Sequence, residues 1–273
     1  MPKNILLCPD NHRHTKNAIL IPILSFILTR RYTINVKGVH LLQDKGAKLF
    51  LQNHQSHLDP QLLGVYIARY CDFVPVISER FLKIPVLGAI LRAWDAVAVS
   101  DLKHGNRDPH VLEKIFSGVI KALKQGKSVL IAPSGQIAHT PVEKIKNKQS
   151  AHLLVSNLPD NVKVIGVRVS GLWGSMWSVA WMGKNPNFLY TFLKGIVYLF
   201  ANFIFFLPKR PVTFEFVDLT EEAILKAKED RKTFNHYLEE FYNVNGAEQA
   251  TYLKHFFYFP KMKRHYPANL ASN

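Results

Sequence analysis

From Lys48 to Tyr70 the chain reads KLFLQNHQSHLDPQLLGVYIARY, and two histidines and an aspartate, His54, His57 and Asp59, fall close together in it. An imidazole held by a carboxylate at one ring nitrogen can take a proton from a hydroxyl at the other, which is general-base chemistry. His54 and Asp59 are five residues apart, a spacing that can bring the two side chains together across a loop. His57 lies on the same loop, where a lone histidine serves equally well as a structural group. Zinc is the rival use of the three. The histidines, however, are three apart rather than two, and Pro60 stands where a further ligand would complete the set.

The elements around this knot can be read from its flanks. Leu49 to Leu51 suit a short buried strand, Asp59 reads as a helix N-cap with Pro60 first in the helix, and Leu62, Leu63, Tyr66, Ile67 and Tyr70 recur at helical spacing. The histidines therefore belong to a strand-to-helix loop, at the carboxyl edge where open α/β sheets bind ligands. Further strands are expected at 33–37, 73–78, 96–100, 128–132, 162–169 and 212–219. Helices are expected over 108–125, where Asp108 caps, and over 221–242. Two of the strands run into polar turns, PSGQ and SGLWGS. Backbone N–H groups at Ser134, Gly135 and Gln136 would suit an oxyanion or a phosphate there, whereas Trp173 and Trp177 read as core or headgroup anchors. The expected fold class is α/β: a mostly parallel central sheet flanked by helices, with membrane-associated helical additions at both ends.

Composition narrows the partners. The chain has 273 residues, 48% of them hydrophobic, enough for a sizeable core. Its 35 Lys and Arg against 20 Asp and Glu give +15, a surface that favours an anionic partner. There is no zinc-finger spacing, RNA-recognition motif or compact basic block, which argues against nucleic acid and leaves an anionic membrane surface or an acidic carrier protein. Cys8 and Cys71 form no CxxC, as expected of a reducing compartment. No GxSxG, Walker loop or dinucleotide fingerprint is present.

Three stretches speak for a membrane. Residues 1–16 carry no secretory signal, and Ala18 to Leu28, ahead of Arg30 and Arg31, fall short of the roughly twenty residues a span needs. An interfacial or core-packed helix is expected there. The segment 188–207 would just span, but its Lys194 favours lying in one leaflet, with Lys209, Arg210 and Pro211 as a basic stop. The aromatic, basic tail HFFYFPKMKRHY would touch headgroups. The layout read from this is an N-terminal arm and interfacial helix over 1–32, then one catalytic domain over 33–273 that includes 188–207.

The order of motifs resembles the glycerolipid acyltransferases, the family of 1-acylglycerol-3-phosphate and lysophospholipid acyltransferases. His54 to Asp59 matches its HxxxxD motif, and IPVLGAILRAW, LIAPSGQ and VIGVRVSGLWGS resemble its later blocks in order, together covering residues 48–175. The resemblance implies that His54 takes the proton from the acceptor's hydroxyl and Asp59 orients it. A fatty acyl thioester of acyl-carrier protein or CoA would be the donor, a lysolipid the acceptor, and no metal or organic cofactor would take part. Ser134, Gly135 and Gln136 would hold the head group or the oxyanion.

The chain departs from the family's blocks at four places. PSGQ stands for PEGT, so Ser134 replaces a carboxylate and Ile137 replaces a basic residue. Asp101 stands where an arginine contacts the acceptor's phosphate, and Gly166 replaces a proline. These changes turn the expected acceptor from lysophosphatidic acid toward a lysophospholipid or another hydroxyl-bearing glycerolipid, with Arg92, Lys103, Arg107 and Arg168 as compensating cations. Asn53, beside the motif, completes the expected substrate-binding set. Versions with PSGQ and GLWGS resemble the acyltransferase regions of bacterial proteins joined to acyl-carrier ligases. That favours a carrier-protein donor and a site on the cytoplasmic face of the inner membrane. The alternatives are an inactive basic membrane-binding protein of the same fold and a zinc-dependent hydrolase.

Overall fold

The structure, a computed structural model, describes residues 15–83, 87–93, 96–99, 110–259 and 261–270. In chain order its elements are α1 (Thr15–Arg31), β1 (Tyr32–Lys37), α2 (His40–Gln43), β2 (Lys48–Gln52), α3 (Asp59–Ile67), β3 (Phe73–Ser78), α4 (Glu79–Leu82), α5 (Leu87–Ala93) and β4 (Val97–Val99). They continue with α6 (His110–Lys124), β5 (Ser128–Ile131), α7 (Ser150–Ser156), β6 (Lys163–Ser170), α8 (Phe188–Ala201), β7 (Arg210–Asp218), α9 (Thr220–Glu229) and α10 (Arg231–Asn243). The strands form one seven-stranded sheet in the order β1-β7-β6-β2-β5-β3-β4. Every neighbouring pair is parallel except β6 and β7, which are antiparallel. This is the expected mostly parallel α/β sheet with helices on both faces.

The two faces carry separate cores, as the apolar runs of a doubly covered strand require. In β2, Leu49 and Leu51 face α6, α7, α9 and α10 with Val164, Val119, Leu154 and Leu238, while Phe50 faces α3 with Leu62, Leu63, Val167 and Phe214. Each fully buried Leu, Ile or Phe stabilises the fold by about 1.5–3 kcal/mol. Since β2 lies between β5 and β6 in the middle of the sheet, the loop that follows it is anchored at the centre of the sheet's carboxyl edge.

Three local expectations change. The helix expected over 221–242 is two helices, because Asp230 turns its carboxylate onto the N–H groups of Lys232 and Thr233 at 2.6 and 3.0 Å and starts α10 anew. Asp59 is the first residue of α3 rather than its cap, and no side chain caps that helix. Arg210 is not an interfacial stop. It is 2% exposed, donates to the carbonyls of Gly171 at 2.7 Å and Thr251 at 2.6 Å, and burial lowers its pKa to about 10. It thus ties the SGLWGS turn to the C-terminal tail. In that turn Gly171, at φ +96°, has the Pro211 carbonyl oxygen 2.3 Å from where a Cβ would sit. Trp173 and Trp177 are both buried. The expected cap at Asp108 and the N-terminal arm through residue 14 lie outside the described residues.

The hydrophobic segment 188–207 forms α8 and a tight turn, with Asn187 capping the helix by accepting from Tyr190 N–H at 3.0 Å. Phe203 and Ile204 take positive φ values in that turn. Among the described residues no helix is long and apolar enough to cross a membrane.

Candidate active site

The site is assembled where the carboxyl ends of β2, β5 and β6 meet. Asn53 leaves β2 and binds the backbone of β6 both ways, accepting from Val169 N–H at 2.7 Å and donating to its carbonyl at 2.9 Å. Its amide is thereby used to fix the start of the loop. Next comes His54, whose Nδ1 lies 3.3 Å from Asp59 Oδ2. Asp59 is fully buried and also accepts from Ser56 N–H at 2.9 Å and from the Ser56 hydroxyl at 2.5 Å. The carboxylate therefore points back into the loop instead of forward into α3, locked before any substrate arrives. With Nδ1 turned to Asp59, Nε2 is the nitrogen left for a reacting proton, and His54 keeps 15% of its side chain exposed. At 3.3 Å the contact is at the long end of the hydrogen-bond range.

The main chain of His54 is gripped as well. Its N–H donates to Glu143 Oε2 at 3.0 Å, and its carbonyl accepts from Ala138 N–H at 2.6 Å. The next residue, Gln55, donates its amide to Glu248, whose other oxygen accepts from Gly171 N–H at 2.8 Å. Burial raises the pKa of both glutamates, with the Asp59 charge acting in the same direction. His57 is held by its N–H on the Trp177 carbonyl at 3.1 Å, and its ring meets the edge of Phe188 at 6.1 Å. Among the described residues no group of three or more His, Cys, Asp or Glu is placed to hold a metal ion.

The remaining expected residues lie at varying distance from this knot. Ser134 is buried and donates to the Gln136 carbonyl at 3.0 Å, while Gly135, at φ +64°, gives its N–H to the Ala132 carbonyl at 2.9 Å. The PSGQ turn thus uses the Gly135 donor internally, and Gly135 and Gln136 are its exposed residues. Arg168 pairs with Glu215 at 2.9 Å and lies over the Phe241 ring at 4.5 Å. Together with Asn53, Gln55, Glu143, Glu215 and Glu248 it lines a polar cavity of about 340 Å³ beside the loop. Arg92 is exposed on α5 and donates to the Leu82 carbonyl at 2.8 Å. Lys103, Arg107 and Asp101 lie outside the described residues. Glu143, Glu248 and Asn243 carry no motif signature; a glutamate in a basic loop such as PVEKIKNK looks like any solvated charge.

The apolar surface near the site is continuous. Phe188 at the start of α8 touches Trp177 and Phe81 as well as His57. Beyond it α8 exposes Leu189, Phe192, Leu193, Ile196, Val197 and Phe200, and the following turn exposes Phe203, Phe205 and Phe206. Phe26 of α1 meets Phe205 at 6.5 Å, and Phe257 of the tail meets Phe206 at 5.2 Å. The expected cations sit at its edge: Arg30 lies over Phe26 at 4.5 Å, and Arg31 donates to the carbonyls of Pro208 and Lys254.

Residues 33–210 match the family model described as Acyltransferase. No curated protein matches the chain significantly. Among solved structures, the fold is similar to that of the 1-acyl-sn-glycerophosphate (LPA) acyltransferase PlsC from Thermotoga maritima. The identity is 18%, over 85% of this chain and 81% of that one, at a TM-score of 0.52.

Proposed function

The chain belongs to the acyltransferase family, and from that premise we propose that it moves a fatty acyl group from a thioester to the hydroxyl of a lysophospholipid. His54 Nε2 takes the proton of the acceptor hydroxyl as its oxygen attacks the thioester carbon. The carbonyl becomes a tetrahedral oxyanion, which collapses with loss of the thiol, and the thiolate recovers the proton from the imidazolium. Asp59 holds the imidazole with its Nδ1 protonated and offsets the charge the ring gains. A positioned base of this kind contributes about 10²–10⁴-fold in rate. The reading rests on one observation above all: the His54–Asp59 pair, 3.3 Å apart at the carboxyl edge of the central strand.

The donor is acyl-carrier protein or acyl-CoA, and the acceptor a lysophospholipid rather than lysophosphatidic acid. The basic surface supports an acidic carrier, and the pairing of Arg168 with Glu215 supports an acceptor less charged than a phosphomonoester. The enzyme works on the surface of an anionic membrane, on the cytoplasmic face of the inner membrane where acyl thioesters are made. The apolar face of α1, α8 and the tail, edged by Arg30 and Arg31, supports contact with one leaflet.

A grid of acyl-carrier and acyl-CoA donors against several lysophospholipids and lysophosphatidic acid tests the whole reading. Thiol release matched by diacyl product, lost in His54→Ala, is the expected result. Transfer that persists undiminished in His54→Ala rules the mechanism out.

A further inference from the structure

Glu143 is out of place for an ordinary surface glutamate. It is 5% exposed, and one carboxyl oxygen accepts the His54 N–H at 3.0 Å. Burying a carboxyl group carries a desolvation cost that an apolar residue of the same size avoids. The surroundings are built to keep it there. Asn243, the last residue of α10, accepts from Glu143 N–H at 2.8 Å and donates to its carbonyl at 2.9 Å, and the Ser134 hydroxyl lies beside the carboxyl. From the same segment Ala138 N–H holds the His54 carbonyl at 2.6 Å. The peptide that carries the base is therefore gripped on both sides by the chain that follows β5.

We propose that Glu143 is a positioning residue for His54: its carboxyl oxygen fixes the main chain of the loop, so that the imidazole faces Asp59 at one nitrogen and the acceptor hydroxyl at the other. This rests on the assignment of His54 as the base. Asp59 orients the ring from within the loop, to which Ser56 binds it, while Asn53, the Ala138 N–H and the Trp177 carbonyl hold the loop from outside. Glu143 adds a tie at the His54 N–H itself, from a segment that Asn243 binds to α10. A misplacement of about 1 Å in a reacting group costs on the order of 100-fold in rate.

Three substitutions in the full chain separate acceptor, charge and reach. Glu143→Gln keeps an oxygen at the same distance, Glu143→Asp keeps the charge but withdraws it by one methylene, and Glu143→Leu keeps only bulk. Leu and Asp should lower kcat by about 30–100-fold while the KM for acyl-CoA and for the lysophospholipid stays within about threefold. Gln should restore kcat to within about fivefold of wild type. Wild-type kcat in Asp, or Gln no better than Leu, overturns the proposal. Amide hydrogen exchange at His54 in 15N-histidine-labelled protein reads the same contact without turnover. Exchange should be at least ~10-fold faster in Asp than in wild type, and equal rates overturn the proposal even where Leu fails to fold. If the wild type transfers no acyl group, the functional reading falls, and the exchange rates alone decide for or against the contact.

Discussion

Asp59 faces His54 Nδ1 at 3.3 Å while two further donors, both from Ser56, hold it in the loop. The aspartate does not cap α3, so its role in the site is separable from helix stability. In Asp59→Asn the amide oxygen can still accept from Ser56, but the partner offered to Nδ1 is no longer an anion and the tautomer is no longer fixed. Acyl transfer should fall by about 10²–10⁴-fold with the far-UV spectrum unchanged. A variant within twofold of wild type would show that Asp59 only shapes the loop.

Stability should carry the mark of the buried Glu143. Burial raises its pKa above 4.5, as does the charge of Asp59, against opposing effects from Ser134 and from the His54 amide and ring. Tyr242 also faces the carboxyl. Over the interval between 4.5 and that raised pKa the folded chain holds a proton the unfolded chain has lost, so stability falls as pH rises through it. Glu143→Gln removes this dependence. In urea unfolding the variant should gain on wild type as pH rises from about 4 to about 8. A gap that shrinks over that range would mean the carboxylate is stabilised, not strained, by its site.

What the sequence made legible was local. The run Leu49–Leu51, the polar knot and the periodic apolar residues of α3 each announce themselves within a dozen positions, and the HxxxxD spacing marks the pair. Glu143, Glu248 and Arg210 did not announce themselves. Their burial depends on partners far along the chain, with Glu143 meeting His54 across 89 residues and Arg210 meeting Gly171 across 39. Charge type alone reads all three as solvent-facing. The helix break at Asp230 was visible in principle, since an Asp followed by Thr233 is a capping pattern, but the apolar periodicity runs through it.

Gly166, read as a departure that bears on the acceptor, has a packing reason. It lies in β6 opposite Leu51 and Val217, and a Cβ there would come within 2.4 Å of Leu219 Cδ1 and 2.7 Å of the Phe241 ring. Those side chains occupy the space any larger residue would need. Gly166→Ala should therefore destabilise by about 1–3 kcal/mol, a Tm drop of roughly 3–10 °C in calorimetry. An unchanged Tm would mean Leu219 and Phe241 swing aside freely.

The exposed aromatic face gives the last prediction. Phe203, Phe205 and Phe206 are 68, 62 and 58% exposed, so their side chains stabilise the folded chain little in water. Inserted among acyl chains, each would contribute about 1.5–3 kcal/mol. Replacing all three by serine should weaken binding to vesicles containing anionic lipid by more than ~100-fold, leaving Tm in solution within a few degrees. Salt should act separately: Arg30 and Arg31 at the edge of the face attract headgroups through screened charge, so raising ionic strength should weaken wild-type binding and leave the deficit from the lost phenylalanines in place. Vesicle sedimentation of wild type and triple variant at low and high salt distinguishes the two contributions. Equal binding of both proteins at high salt would show that the aromatic face does not enter the bilayer.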